Sequence, residues 1–310
     1  MPRPTDHAAR MRRALLSLDG LSLGDAFGER FFGESPEENI AARVVPDGPW
    51  FWTDDTEMAL AICEVLDAEG EIDRDRLAAA FASRYAAAPR RGYGGGAHQL
   101  LGELALGARW DRAARALFDG QGSFGNGGAM RAGPVGAYFA DDVEATIAQA
   151  RASAEVTHAH PEGQAGAIAV ALAALYAWRS RHDAGFGEHD LLDFVLAHLA
   201  PGETRAGIEA ARALPPDVSV AQAAAALGSG YRVSSMDTVP FALFCARRHL
   251  DDLEEACWST VAGLGDRDTT CAIVGSIVAL RIGPSAIPSA WREAREPIEE
   301  EPVMARYPAG

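Results

Sequence analysis

The chain has 310 residues, 48% hydrophobic and 23% charged, with a formal net charge of -16 at neutral pH. That length and apolar content supply a sizeable core, in one large domain or two. The acidic balance excludes a protein that wraps duplex nucleic acid or coats an anionic membrane, because both tasks need clustered Lys and Arg.

In chain order, the basic start Met1–Arg13 is not followed by a long enough apolar run before Asp19 and Gly20, so no signal peptide is predicted. Met58, Ile62 and Leu66 recur every four residues, with Ala59 and Val65 widening the stripe, which predicts a helix. Thr53 or Asp54 caps it and Gly70 ends it. Asp73 opens the next, through Leu77, Phe81 and Tyr85. Further helices are predicted near 97–107, 109–118, 141–155, 163–179, 188–199, 203–213, 219–227, 237–248, 251–263 and 268–282, most of them rich in Ala. Strict apolar/polar alternation is nearly absent, so the fold class is all-α. The most apolar stretch, Ala165–Trp178, is too short to span a bilayer. Cys63, Cys245, Cys257 and Cys271 sit apart in apolar helical stretches, which predicts buried reduced thiols and a cytoplasmic protein. The organisation expected is one compact multi-helix domain over 1–287. Its tail, 288–310, with Pro288, Pro297, Pro302 and the acidic Glu299–Glu301, is expected to be surface-draped or mobile.

Two acid-rich turns, Thr53-Asp54-Asp55-Thr56 and Asp266-Arg267-Asp268-Thr269, each open a predicted helix. Capping explains one or two of these residues but not all of them. Crowded carboxylates repel unless a cation or a proton compensates them, and hard oxygen ligands suit Mg²⁺ or Mn²⁺. The Asp-Asp-x-x-Asp/Glu pattern of all-α diphosphate lyases fails here because its fifth position is Met58.

Glycines collect in Gly92–Gly96 and Gly120–Gly128. Neither loop carries a P-loop signature or follows a strand, which removes the nucleotide-fold readings. Glycine-rich loops serve as plain connections or as anion cradles, and two of them beside an acidic site favour the cradle. His158 and His160 lack a third ligand at zinc spacing; His158 reads either as a neutral donor to a ligand or as a core histidine. Trp50, Trp52, Tyr93 and Phe124 either stack on a planar base or pack in the core.

In order, the chain shows Gly24-Asp25-Ala26-Phe27-Gly28, Trp52-Thr53-Asp54-Asp55-Thr56, Gly125-Asn126-Gly127-Gly128-Ala129-Met130-Arg131, Thr157-His158 and Gly265-Asp266-Arg267-Asp268-Thr269. This series resembles the ADP-ribosylglycohydrolase family, from Ala14 to Ile282. The resemblance implies an all-α domain with two divalent ions, Mg²⁺ or Mn²⁺, hydrolysing the glycosidic bond between ADP-ribose and a protein side chain or small group. Carried over, Thr53, Asp54, Asp55 and Asp268 hold one ion, and Asp266, Asp268 and Thr269 the second. Asp55, Asp268 and Glu29 are the catalytic carboxylates. The ligand path is lined by Gly92, Tyr93, Gly94, Gly95, Gly96, Gly122, Ser123, Phe124, Gly125 and Asn126, with His158 at its far part and Arg131 shaping the loop.

Two departures stand out. A Glu common in the family after the first motif is replaced in register by Phe32, leaving Glu29 or Glu34 as substitutes, with Glu29 preferred. Arg267 occupies a position usually small or polar, where a guanidinium can pair with a phosphate or a leaving group, or point to solvent. The resemblance also admits a non-catalytic, ADP-ribose-binding or crystallin-like member, and leaves the acceptor open among Arg, Ser, a nucleobase and other small groups.

Overall fold

A computed structural model describes residues 6–33, 36–182 and 190–307. Its centre is set by glycine. Gly20, Gly24 and Gly28 recur every four residues and share one face of α1 (His7–Glu29). That face lies on α15 (Arg267–Ile282). A Cβ at Gly24 would collide with the Cys271 carbonyl, and one at Gly28 with the Arg267 carbonyl; Gly275 abuts Gly20 in return. Only absent side chains let two helix backbones approach so closely.

Around this pair the chain is all-α among the described residues, with isolated bridges at Trp50 with Arg295 and Gly125 with Ser234. Before the second glycine loop come α2 (Pro36–Ala41), α3 (Asp54–Glu69), α4 (Arg74–Ala87), α5 (Gly95–Ala105) and α6 (Trp110–Ala116); Gly95 and Gly96, expected in the first loop, form the opening turn of α5. Next come α7 (Gly133–Tyr138), α8 (Val143–Glu155) and the long α9 (Pro161–His182), whose residues Gly166–Ala177 are buried. There follow α10 (Leu191–His198), α11 (Glu203–Ala213), α12 (Val220–Leu227), α13 (Ser235–Arg248) and α14 (Leu253–Val261), then α15. Two short helices, α16 (Ser289–Ala294) and α17 (Pro302–Ala305), end the chain. One core serves the whole assembly. No helix among the described residues is long and apolar enough to cross a membrane. All four cysteines are buried and free.

The periodic helices stand where their patterns place them, within a few residues. Helix α1 has no counterpart in those patterns. It is buried almost all round from Ala14 to Gly28, so it lacks the polar face that produces a readable period. As far as Tyr307 the C-terminal segment packs against the helices. Trp291 stacks on Phe27 with centroids 4.5 Å apart, and the buried Arg295 pairs with Asp19 at 2.8 Å. Glu301 takes Arg84 at 2.7 Å, and Asp67 takes the Tyr307 hydroxyl at 2.6 Å. The segment therefore straps α1, α3 and α4 together.

Candidate active site

The close approach of α1 to α15 brings three acidic segments to one place. Asp25, fully buried on α1, accepts from the Thr53 and Thr56 amides at 2.9 and 3.1 Å. It also accepts from the Thr53 and Thr56 hydroxyls, at 2.8 and 2.5 Å. A carboxylate from another helix thus satisfies the opening amides of α3. Thr53 extends its hydroxyl to Asp55 Oδ2 at 3.1 Å, while Asp55 Oδ1 is buried with no hydrogen-bond partner. At the start of α15, Asp266 Oδ2 accepts from Asn126 Nδ2 at 2.6 Å, and Asp268 Oδ1 from the Thr269 amide at 2.8 Å.

Burial pushes the Asp25 carboxyl up to about 6 and Asp54 to about 7; nearby Asp25 and Asp266 charges add to the rise at Asp54. Asp55 and Asp268 are raised well above the usual carboxylate range, first by burial and then by the neighbouring aspartates. Such crowding is costly without a compensating charge. The donor set of carboxylates, threonine hydroxyls and one orphaned carboxylate oxygen is chemically suited to a hard divalent cation. Among the described residues, however, no three His, Cys, Asp or Glu side chains already converge as a ligand set. The acidic residues therefore gather at one place, and the expected dinuclear metal site is not formed among the described residues.

Beside the cluster lies a cavity of about 470 Å³, walled by Asp54, Asp266, Asp268, Thr269 and the two glycine loops. Gly92, with φ +90°, passes over the acidic turn, where Asp54 Oδ1 lies 3.5 Å from the place a Cβ would take. At Gly94 and Gly95 a Cβ would meet nothing, so the protein's own packing does not require glycine there. Arg131, fully buried, ties the second loop down by donating to the Gly127 carbonyl at 2.9 Å and to the Thr157 hydroxyl at 2.7 Å. That hydroxyl also pairs with His158 Nδ1 at 2.7 Å; in the tautomer where the hydroxyl donates, the ring proton lies on Nε2. Burial, and then the Arg131 charge, push His158 down to about 3, so it is a neutral donor.

The ADP-ribosylglycohydrolase family profile matches residues 5–307. The chain belongs to that family. It is 30% identical to mouse (Mus musculus) ADP-ribosylhydrolase ARH3 over 83% of this chain and 76% of the relative. It is 28% identical to the ADP-ribosyl-[dinitrogen reductase] glycohydrolase of Rhodospirillum rubrum, over 90% of this chain and 88% of that one. A solved ADP-ribosylglycohydrolase-related protein complex shares the fold, with a TM-score of 0.64 at 24% identity over 96% of this chain and 95% of that chain.

Within this ADP-ribosylglycohydrolase fold, Gly92, Gly94, Gly95, Gly96, Ser123, Phe124, Gly125, Asn126 and His158 line one cavity together. Gly122 does not, and the Tyr93 side chain does not: it is buried edge-on to Tyr85, 5.1 Å away. Trp50 and Trp52 are core residues outside this cavity, Trp50 packed edge-on to Phe27 and Trp52 under the Arg91 guanidinium. Glu29 does not line this cavity: it is an exposed residue on a neighbouring one, where partial burial of its carboxyl and then the Asp25 charge hold it above the usual range. Glu34 lies outside the described residues. The two departures from the family pattern meet each other: the Arg267 guanidinium lies over the Phe32 ring at 4.9 Å and donates to the Leu264 carbonyl at 3.1 Å. Asp25 and Arg232 were given no role from the sequence. Arg232 lines the cavity, and its guanidinium has no hydrogen bond or ion pair among the described residues. It sits beside Val233, a β-branched residue held at φ +52°, whose carbonyl accepts from the Asn126 amide at 3.3 Å. The visible signal was Gly228 and Gly230 just upstream, both at positive φ.

Proposed function

We propose that the chain hydrolyses the glycosidic bond joining ADP-ribose to a protein side chain or small group, aided by two divalent ions, Mg²⁺ or Mn²⁺. The observation that carries this reading is the crowd of Asp54, Asp266 and Asp268 on the wall of a glycine-lined cavity, with the buried Asp55 beside them. Thr53, Asp54, Asp55 and Asp268 would hold one ion, and Asp266, Asp268 and Thr269 the other. Bound there, the ions supply Lewis-acid polarisation and a water of lowered pKa.

The chain's own groups do the rest. Asp25 fixes the opening turn of α3, and Asn126 orients Asp266. Backbone amides around Gly92–Gly96 and Ser123–Asn126 face the diphosphate, with Arg232 as the free cation beside it. His158 donates from Nε2 without bringing charge. Water attacks the anomeric carbon as the bond to the acceptor breaks. The hydroxyl stays on the ribose and the acceptor leaves with the proton; Asp268, on the cavity wall, would stabilise the cationic sugar, and the buried Asp55 would act from behind it by its charge. Glu29, on the neighbouring cavity and with a raised carboxyl, would hold a proton during that exchange.

Incubation with ADP-ribose conjugates of arginine, serine and a nucleobase in millimolar Mg²⁺ or Mn²⁺, with Asp268→Asn as control, tests the reading by release of the acceptor. A second reading, ADP-ribose binding without turnover, draws on Phe32 standing where the family's Glu is expected. Tight calorimetric binding with no release from any conjugate selects it.

A further inference from the structure

A second cavity, about 400 Å³, meets the acidic turn from the other side. Both cavities reach Gly92; Thr53 lines the smaller and its neighbour Asp54 the larger. A ligand whose reacting bond lies over this turn therefore extends into one cavity on each side. The larger has the glycine walls and aromatic rings that suit a diphosphate and a base. The smaller has different chemistry. Phe51, 55% exposed, offers a ring face, and Ala88 and Pro89 continue the apolar wall. Arg91 is immobilised, paired with Glu296 at 2.6 Å and lying 3.6 Å from the Trp52 ring centroid. Its neighbour Arg90 is exposed and makes no hydrogen bond or ion pair among the described residues. A free cation at the mouth of the site, on a chain of net charge -16, is a local exception.

We propose that this groove is the acceptor subsite, and that it takes an extended peptide presenting its modified side chain at Thr53, an apolar residue on Phe51 and an acidic residue at Arg90. The inference rests on the hydrolase reading. A small acceptor would fill only the end next to Glu29 and leave Phe51 and Arg90 unused. A peptide uses the length of the groove, and charge complementarity gives selectivity more than raw affinity.

The test compares three conjugates of ADP-ribose: a peptide with Glu beside the modified residue, the same peptide with Lys there, and the free amino acid. The wild-type protein is expected to prefer the Glu peptide, and Arg90→Glu to cut the Glu/Lys ratio of kcat/KM at least about fivefold. Phe51→Ala is expected to lower kcat/KM for both peptides about threefold. An unchanged ratio in Arg90→Glu overturns the proposal. Both side chains are exposed, and thermal unfolding confirms that each variant is folded. Cleavage of the free amino-acid conjugate by wild type reads the hydrolase reading separately. Fluorescence anisotropy of the labelled, unmodified Glu peptide reads the groove without turnover: equal binding by wild type and Arg90→Glu overturns the proposal, and weaker binding by the variant supports it.

Discussion

Aspartates open helices in two regions of this protein, and they do different things there. Asp73, Asp142, Asp190 and Asp252 each accept a hydrogen bond from the helix they precede: from the Arg76, Ala145, Leu192 and Glu255 amides at 2.9, 3.0, 2.8 and 3.1 Å. At α3 and α15, Thr53 and Asp266 hold the corresponding positions and neither caps its own helix. The opening of α3 is instead satisfied by Asp25 from α1. A helix capped from outside can keep its own acids free, and the cost is a set of buried charges that repel one another. The contrast separates residues that stabilise the fold from residues that the fold must tolerate.

The largest expected effect breaks the second group. Asp55→Ala or Asp268→Ala should lower turnover of an ADP-ribose conjugate by about 10²–10³ or more in steady-state assays. Next in size, Gly24→Ala should destabilise by about 3 kcal/mol in urea unfolding, because a Cβ there meets the Cys271 carbonyl. The repulsion itself is legible in pH. Asp25 and Asp54 are raised in the folded protein to about 6 and about 7 from 3.8, so between these values the folded state keeps protons that the unfolded chain releases. Metal-free protein should lose thermal stability as pH rises from about 4 through about 7, and millimolar Mg²⁺ should remove most of that loss. Retention of the slope in Mg²⁺ would count against metal binding at the cluster. Arg232→Ala should weaken ADP-ribose binding about tenfold by calorimetry, with adenosine binding nearly unaffected. Smallest of all, Asp142→Ala should cost about 1 kcal/mol of stability and leave kinetics unaltered.

How far the sequence could be read followed from locality. The helices from α3 to α15 with one polar face were visible through their spacing, and so were the acidic turns and glycine loops that wall the cavity. Helix α1 was hidden because burial on every side and glycines at 20, 24 and 28 erase the amphipathic stripe. The work of Asp25 was hidden too, since its partners Thr53 and Thr56 belong to another helix. Tyr93 illustrates the converse: flanked by cavity-lining glycines, its ring turns to Tyr85 because a buried aromatic gains more from packing than from a solvent-facing wall.

Residue types and their spacing determined by themselves that this chain is helical, and that acids and glycines concentrate at a few turns. Those properties depend on neighbours within one or two turns of chain. The tertiary structure alone decided which acids cap and which crowd, because that depends on how near two helix axes can come. Glycine against carbonyl at the α1–α15 contact sets that distance, and with it the meeting of Asp25, Asp55 and Asp268.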